Sequence, residues 1–119
     1  MGWLQKMLGG GRGVGPEQAD GLVRSGAVLL DVREHSEWHA GHAPGARHVP
    51  LAELEGKLGA LPLDRRVVVA CRSGNRSARA TALLVRSGFE AVNLNGGMQA
   101  WAAAGLPVET ACAKPGTVV

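Results

Sequence analysis

Tyrosine is absent from this 119-residue chain, phenylalanine occurs once and tryptophan three times, so aromatics make up only 3% of it. A core of stacked rings is excluded, and Val, Leu and Ala must fill the interior. The same scarcity, with no basic run that interleaves aromatic residues, leaves nucleic acid without support as a partner. Cysteine is nearly missing too. Cys71 and Cys112 are too few for the disulfide framework of a small secreted domain. No apolar stretch is long enough to span a membrane. Residues 1–13 lack the apolar core and cleavage site of a signal peptide, and Lys6 breaks a myristoylation pattern. These absences point to the cytoplasm, where thiols stay reduced, and to no membrane partner.

What is present suits one folded domain. Hydrophobic residues make up 45% and charged residues 19%, in a chain long enough to bury a core without metal or disulfide staples. The net charge of +3 is mild. Its local distribution is more informative: Arg72, Arg76 and Arg79 follow Cys71 closely with no acidic residue among them, so a small anion is the expected partner.

Residues 1–15 read as a flexible lead-in, 16–109 as the domain and 110–119 as a disordered tail. Pro16 and Glu17 suit the first turn of a helix that Gly26 ends. AVLLDV (27–32), RVVVA (66–70) and AVNL (91–94) read as strands, and RHVP (47–50) as a shorter one. REHSEWHAGHAPGA (33–46) opens with a helical turn or two and breaks at Gly41 and Pro44. Leu51, Leu54, Leu58 and Leu61 share one helical face, weakened by Gly56 and Gly59. SARATALLVRSG (77–88) reads as a helix with Ser77 as N-cap, and MQAWAAAG (98–105) as a short last one. Strands alternating with helices predict an α/β domain with a mostly parallel, buried sheet.

Arg-Ser-Gly occurs three times in the chain. The copies at 24–26 and 86–88 each end a helix and precede a strand. The copy at 72–74 follows a strand, follows Cys71 and precedes a helix. Functional groups gather at the carboxyl ends of strands in such sheets. A loop there, with Gly74 and a helix N-terminus, turns backbone N–H groups toward one centre and makes an anion nest. The nest and its arginines favour a thiolate on Cys71 and hold an anionic substrate beside it. The bland alternative, a buried cysteine in an ordinary turn, leaves the glycine, the helix start and the arginines unexplained.

Phosphoryl transfer and sulfur transfer both suit such a site. Thiol phosphatases place five residues between Cys and Arg, and here that spacing leads to Ser77, with Arg76 one position early. A tighter ring suits a single sulfur atom. His35, His39 and His42 have metal-like spacing on a helix, but Gly41 breaks it, so no metal site is expected. Cys112 reads as a spare thiol in the tail.

Several stretches carry a family resemblance over residues 16–109. LLDVRE (29–34), EWHAGHAPGARHVP (37–50), CRSGNRS (71–77) and LNGGMQAW followed by GLPV (94–108) together resemble the single-domain rhodaneses, a sulfurtransferase family. The resemblance implies a rhodanese-like three-layer fold, a central mostly parallel sheet flanked by helices. It implies Cys71 as the catalytic persulfide carrier, with Arg72, Ser73, Gly74, Asn75, Arg76 and Ser77 cradling the persulfide. It places Asp31 and Arg33 near the loop, either as an ion pair that braces it or in contact with substrate. Gly96, Gly97 and Trp101 are assigned to structure. The partners it implies are a small anionic sulfur donor such as thiosulfate and a thiol, cyanide or protein acceptor; no cofactor is called for. A non-catalytic sulfur-delivery or binding module and a phosphatase or arsenate reductase on the same fold are the alternatives. One position departs from the long, two-domain thiosulfate enzymes: they carry a basic residue where this chain has Ser73.

Overall fold

Residues 13–119 are described by a computed structural model of the chain. Five strands are β1 (Gly13–Val14), β2 (Val28–Asp31), β3 (Arg47–His48), β4 (Val67–Ala70) and β5 (Ala91–Leu94). Five α-helices are α1 (Pro16–Arg24), α2 (His35–Ala40), α3 (Leu51–Leu54), α4 (Asn75–Arg86) and α5 (Gly97–Ala103). All strand pairs are parallel, in the order β1-β5-β4-β2-β3. The α/β fold class expected from the alternating pattern is therefore the observed one.

The sheet is covered on both sides, which explains why β2 and β4 are buried along their whole length. Side chains alternate between two cores. Val28, Leu30, Val67, Val69 and Cys71 pack with Leu54, Ala80 and Leu84 beneath α3 and α4. Leu29, Val68, Ala70, Val92 and Leu94 pack with Ala19, Met98 and Trp101 beneath α1 and α5. The period of two thus sends residue 71, like 67 and 69, toward α4. A one-residue slip of β4 would turn the thiol to the other face.

Two expectations need correction. The leucines at 51, 54, 58 and 61 do share the first core, but the α-helix stops at Leu54 and a 3-10 segment, Glu55–Ala60, continues it. Gly56 and Gly59 favour α-helix too weakly to extend it. Helix α4 starts at Asn75 with Gly74 as N-cap, so Ser77 lies inside the first turn and does not cap it. The segment after Glu109 is tied down. His42 and Glu109 exchange backbone hydrogen bonds of 2.9 and 2.8 Å, Gly116 N–H donates to Val108 and Thr117 N–H to Ala40. Its partners lie far off in sequence, so no local pattern announces its order. At the other end, Gly13 and Val14 form an edge strand on β5, and the first twelve residues of the expected lead-in lie outside the described ones. Among the described residues no helix is long and apolar enough to cross a membrane.

Candidate functional site

Strand β4 delivers Cys71 to the carboxyl end of the sheet, where the thiol is 1% exposed. The strand order reverses there. The chain leaves β2 for β3 on one side and β4 for β5 on the other, and such switch points open a crevice at strand ends. The turn into α4 is short. Gly74 sits at φ +109°, a left-handed conformation, and a Cβ on it would meet the Gly96 nitrogen at 3.3 Å. This bend brings the Gly74 N–H to 3.0 Å from Cys71 Sγ. One turn into the helix, the buried Ser77 hydroxyl donates to the same sulfur at 3.2 Å.

The loop's carbonyls are drawn the opposite way. Helix α5 begins against them, and the Met98 and Gln99 N–H groups donate to the Cys71 and Arg72 carbonyls at 2.7 and 3.0 Å. Gly97, at φ +61°, permits this approach: a Cβ there would lie 2.5 Å from both carbonyl oxygens. Asn93 Nδ2 donates to the Gly74 carbonyl at 3.2 Å. With its carbonyls engaged by the first turn of α5 and by Asn93, the loop turns N–H groups toward the sulfur. Burial pushes the Cys71 thiol up, but the Ser77 hydroxyl and the N–H groups of Ser77, Gly74 and Ser73 outweigh it. The pKa ends below the ordinary thiol value, so the site raises the share of thiolate at a given pH.

The arginines divide. Arg72 is exposed, as are Ser73 and Asn75. Arg76 forms a two-pronged pair with Glu37 of α2, at 2.7 and 2.9 Å. The Arg76 hydrogen bond is the main reason the Glu37 pKa falls to about 2; the Glu34 N–H also donates to that carboxylate. Glu37 is the residue that reading the sequence for chemistry passed over. Its partner lies 39 positions away, so no local pattern marks it.

Asp31 and Arg33 form a buried ion pair at 2.8 Å, and Arg33 Nη2 also donates to the Gly41 carbonyl at 2.7 Å. Asp31 is in register with Ala70, beside Cys71, but the pair's contacts run to the end of α2. Between them Arg33 and Glu37 fasten both ends of α2, one to the sheet and one to the loop. His42 stacks on Trp38 at 3.6 Å between ring centres, His48 stacks on the same ring at 4.7 Å, and His35 faces Glu53 and His48. Among the described residues, no three His, Cys, Asp or Glu side chains group as a metal site. Trp101 is buried and donates its indole N–H to the Pro107 carbonyl. Cys112 is exposed and reduced, on the tail. A cavity of about 250 Å³ lined by Leu22, Gly26, Ala27, Asp64 and Arg65 opens at the amino ends of the strands, away from the thiol.

Known proteins share this arrangement. The sequence model of the rhodanese-like domain matches residues 15–104. Thiosulfate sulfurtransferase GlpE of Pseudomonas fluorescens is 42% identical over 87 residues, 72% of this chain and 80% of the relative. The HTH-type transcriptional regulator Rv0324 of Mycobacterium tuberculosis is also 42% identical, over 69% of this chain but only 37% of the regulator. A rhodanese-related protein from Thermoplasma volcanium superposes with a TM-score of 0.77 at 33% identity, covering 82% of this chain and 96% of that one. Sequence and fold agree, and the chain belongs to the rhodanese-like domain family.

Proposed function

We propose that this protein is a sulfurtransferase that carries a sulfane sulfur as a persulfide on Cys71. The observation that carries the reading is the thiolate cradle, in which Sγ accepts the Gly74 N–H and the Ser77 hydroxyl. A thiolate held this way is the nucleophile such chemistry needs. It attacks the outer sulfur of a donor such as thiosulfate. The donor's S–S bond breaks, and sulfite leaves with the electron pair. The new terminal sulfur carries the negative charge, which the backbone of residues 72–77 and the N-terminus of α4 are suited to hold. Cyanide or a thiol then attacks that outer sulfur, and Cys71 leaves as a thiolate, completing a two-step covalent cycle. Arg72 is exposed to meet an anionic donor, while Arg76 has Glu37 as its partner. Asp31 and Arg33 act as positioning residues through α2.

Sulfur is favoured over phosphorus by what occupies position 77. A thiol phosphatase would need a guanidinium there, and this chain has a serine that spends its hydroxyl on the sulfur. The relatives named thiosulfate sulfurtransferase support the same reaction, and a reducing compartment such as the cytoplasm would keep the thiol free for it. The test is intact mass after incubation with thiosulfate. A gain of one sulfur atom, reversed by cyanide and missing in Cys71→Ser, is expected. No gain sinks the proposal. A second reading, a binding or delivery module without turnover, draws on the regulator that contains a similar domain. It predicts stable loading with no discharge to cyanide or small thiols.

A further inference from the structure

Residues 71–86 contain four arginines and no carboxylate, in a chain of thirteen basic and ten acidic side chains. The remainder of the chain is therefore one charge negative, and its whole positive excess lies on the loop and helix beside the thiol. Elsewhere Arg24 pairs with Asp20, Arg33 with Asp31 and Arg66 with Glu90, while Arg47 and Arg65 donate to the Ala60 and Gly26 carbonyls. Glu37 occupies Arg76. Arg72, Arg79 and Arg86 are exposed and, among the described residues, in no ion pair. Residues 1–12 contain no carboxylate that would neutralise them.

Their placement is ordered by the helix. The inner face of α4 is Ser77, Ala80, Thr81 and Leu84. The opposite face presents Asn75, Ala78, Arg79, Ala82 and Arg86. Arg79 and Arg86 are two turns apart on that face, roughly 10 Å along the axis. Ala82 and the half-buried Leu83 lie between them, with no acidic residue in the strip. It starts at the exposed Arg72 and Ser73, at the mouth of the site. An ordinary solvated helix face would alternate charge signs along i and i+4 positions. This one does not, and its free charge adjoins a thiol that is 1% exposed and needs its attacker aligned.

We propose that the Arg79 and Arg86 face of α4 docks an acidic protein whose cysteine takes the sulfur from Cys71. The inference rests on the sulfurtransferase reading above. The acceptor's thiolate attacks the outer sulfur of the Cys71 persulfide. The S–S bond to Cys71 breaks, its electron pair stays on Sγ, and the acceptor leaves as a persulfide; its thiol proton goes to solvent. Carboxylates around the acceptor cysteine pair with the guanidiniums and speed encounter. A nucleic acid fits less well, because the strip is two turns long, the rest of the chain is net negative and no aromatic residue lies on it.

The experiment loads the full chain with thiosulfate, verifies the persulfide by mass, and times its discharge by two acceptors. One is a cysteine peptide flanked by glutamates, the other uncharged 2-mercaptoethanol. In the Arg79→Gln/Arg86→Gln variant, discharge by the acidic peptide should fall about fivefold or more at low salt, with 2-mercaptoethanol unchanged. The wild-type advantage should fade near 0.5 M salt, as expected for exposed charges. Arg24→Gln, on the opposite face of the sheet, should leave both rates unchanged. Equal peptide rates in wild type and double variant would overturn the docking proposal, and so would parallel loss with 2-mercaptoethanol. Binding of single-stranded RNA that the double variant loses, without change in the peptide rate, would overturn it in favour of nucleic acid. Failure to load sulfur at all would remove the parent reading first, and is seen at the mass step.

Discussion

At Cys71 two effects of opposite sign meet. Burial disfavours the thiolate, and hydrogen bonds from Ser77, Gly74 and Ser73 favour it more. Ser77 makes the only side-chain contribution among these, so it is the residue to change. Ser77→Ala should slow alkylation of Cys71 by iodoacetamide about tenfold at neutral pH, the worth of one charge-assisted hydrogen bond of about 1.5 kcal/mol. Its pH profile should move toward higher pH. In the wild type, the depressed pKa means that the thiolate stabilises the fold fully above the ordinary thiol pKa, and that this contribution is lost as pH falls through the folded value. Glu37 obeys the same sign. Its carboxyl lies at about 2 in place of the ordinary 4.5. Glu37→Gln should cost about 1–2 kcal/mol in urea unfolding at neutral pH. That deficit should shrink as pH falls from about 4.5 toward about 2, where the wild-type carboxylate also takes a proton. A deficit that stays constant across that range would refute the ion pair as its cause.

At the scale of elements, the site is made by two helix starts. Helix α4 presents N–H groups and Ser77 to the sulfur, and α5 engages the loop's carbonyls through Met98 and Gln99. The sequence identifies the first of these from Cys71, Gly74 and the apolar strand before them. The second was read only as a tight turn at Gly96 and Gly97, because nothing local links residue 97 to residue 71. Gly97→Ala should therefore do more harm than a turn glycine usually does. The added carbon meets two carbonyl oxygens at 2.5 Å, and the backbone stands at φ +61°. A loss of about 2 kcal/mol or more is expected by thermal or urea unfolding. Cys71 alkylation should slow with it, since the loop must shift. An unchanged alkylation rate would show that α5 does not shape the cradle. The helix start at Asn75 was missed by two residues for a related reason: Ser77 is a good N-cap by type, but its hydroxyl is used by the thiol.

At the scale of the molecule, the C-terminal tail fastens to the end of α2. The tail pairs with Gly41's neighbours Ala40 and His42, and Val118 packs against the core beneath α5. A Cβ on Gly41 would lie 2.6 Å from the Thr117 backbone, so the segments are in close contact. Removing residues 110–119 should lower stability by about 2–3 kcal/mol, the sum expected for two lost backbone hydrogen bonds and a partly buried valine. Urea unfolding of the shortened chain measures it, and no change would mean the tail only rests there. Charge is also a property at this scale. The positive excess of the whole chain collects on residues 71–86, and with Arg76 paired to Glu37 it is left unpaired at Arg72 in the loop and at Arg79 and Arg86 on α4's outer face.

Local pattern alone determined the fold class, the three buried strands, and the identity of Cys71 and its loop. Strand period, turn glycines and a helix start all act over a few residues, so they can be read in order along the chain. It also determined that position 77 holds serine and not arginine. Tertiary structure decided which groups face the thiol, which loop carbonyls are engaged elsewhere, and which arginines are left without a carboxylate partner. Those outcomes depend on pairs such as Glu37 with Arg76 and Gly97 with the Cys71 carbonyl. Electrostatics and steric contact act across space, and only the folded chain brings such distant residues within their range.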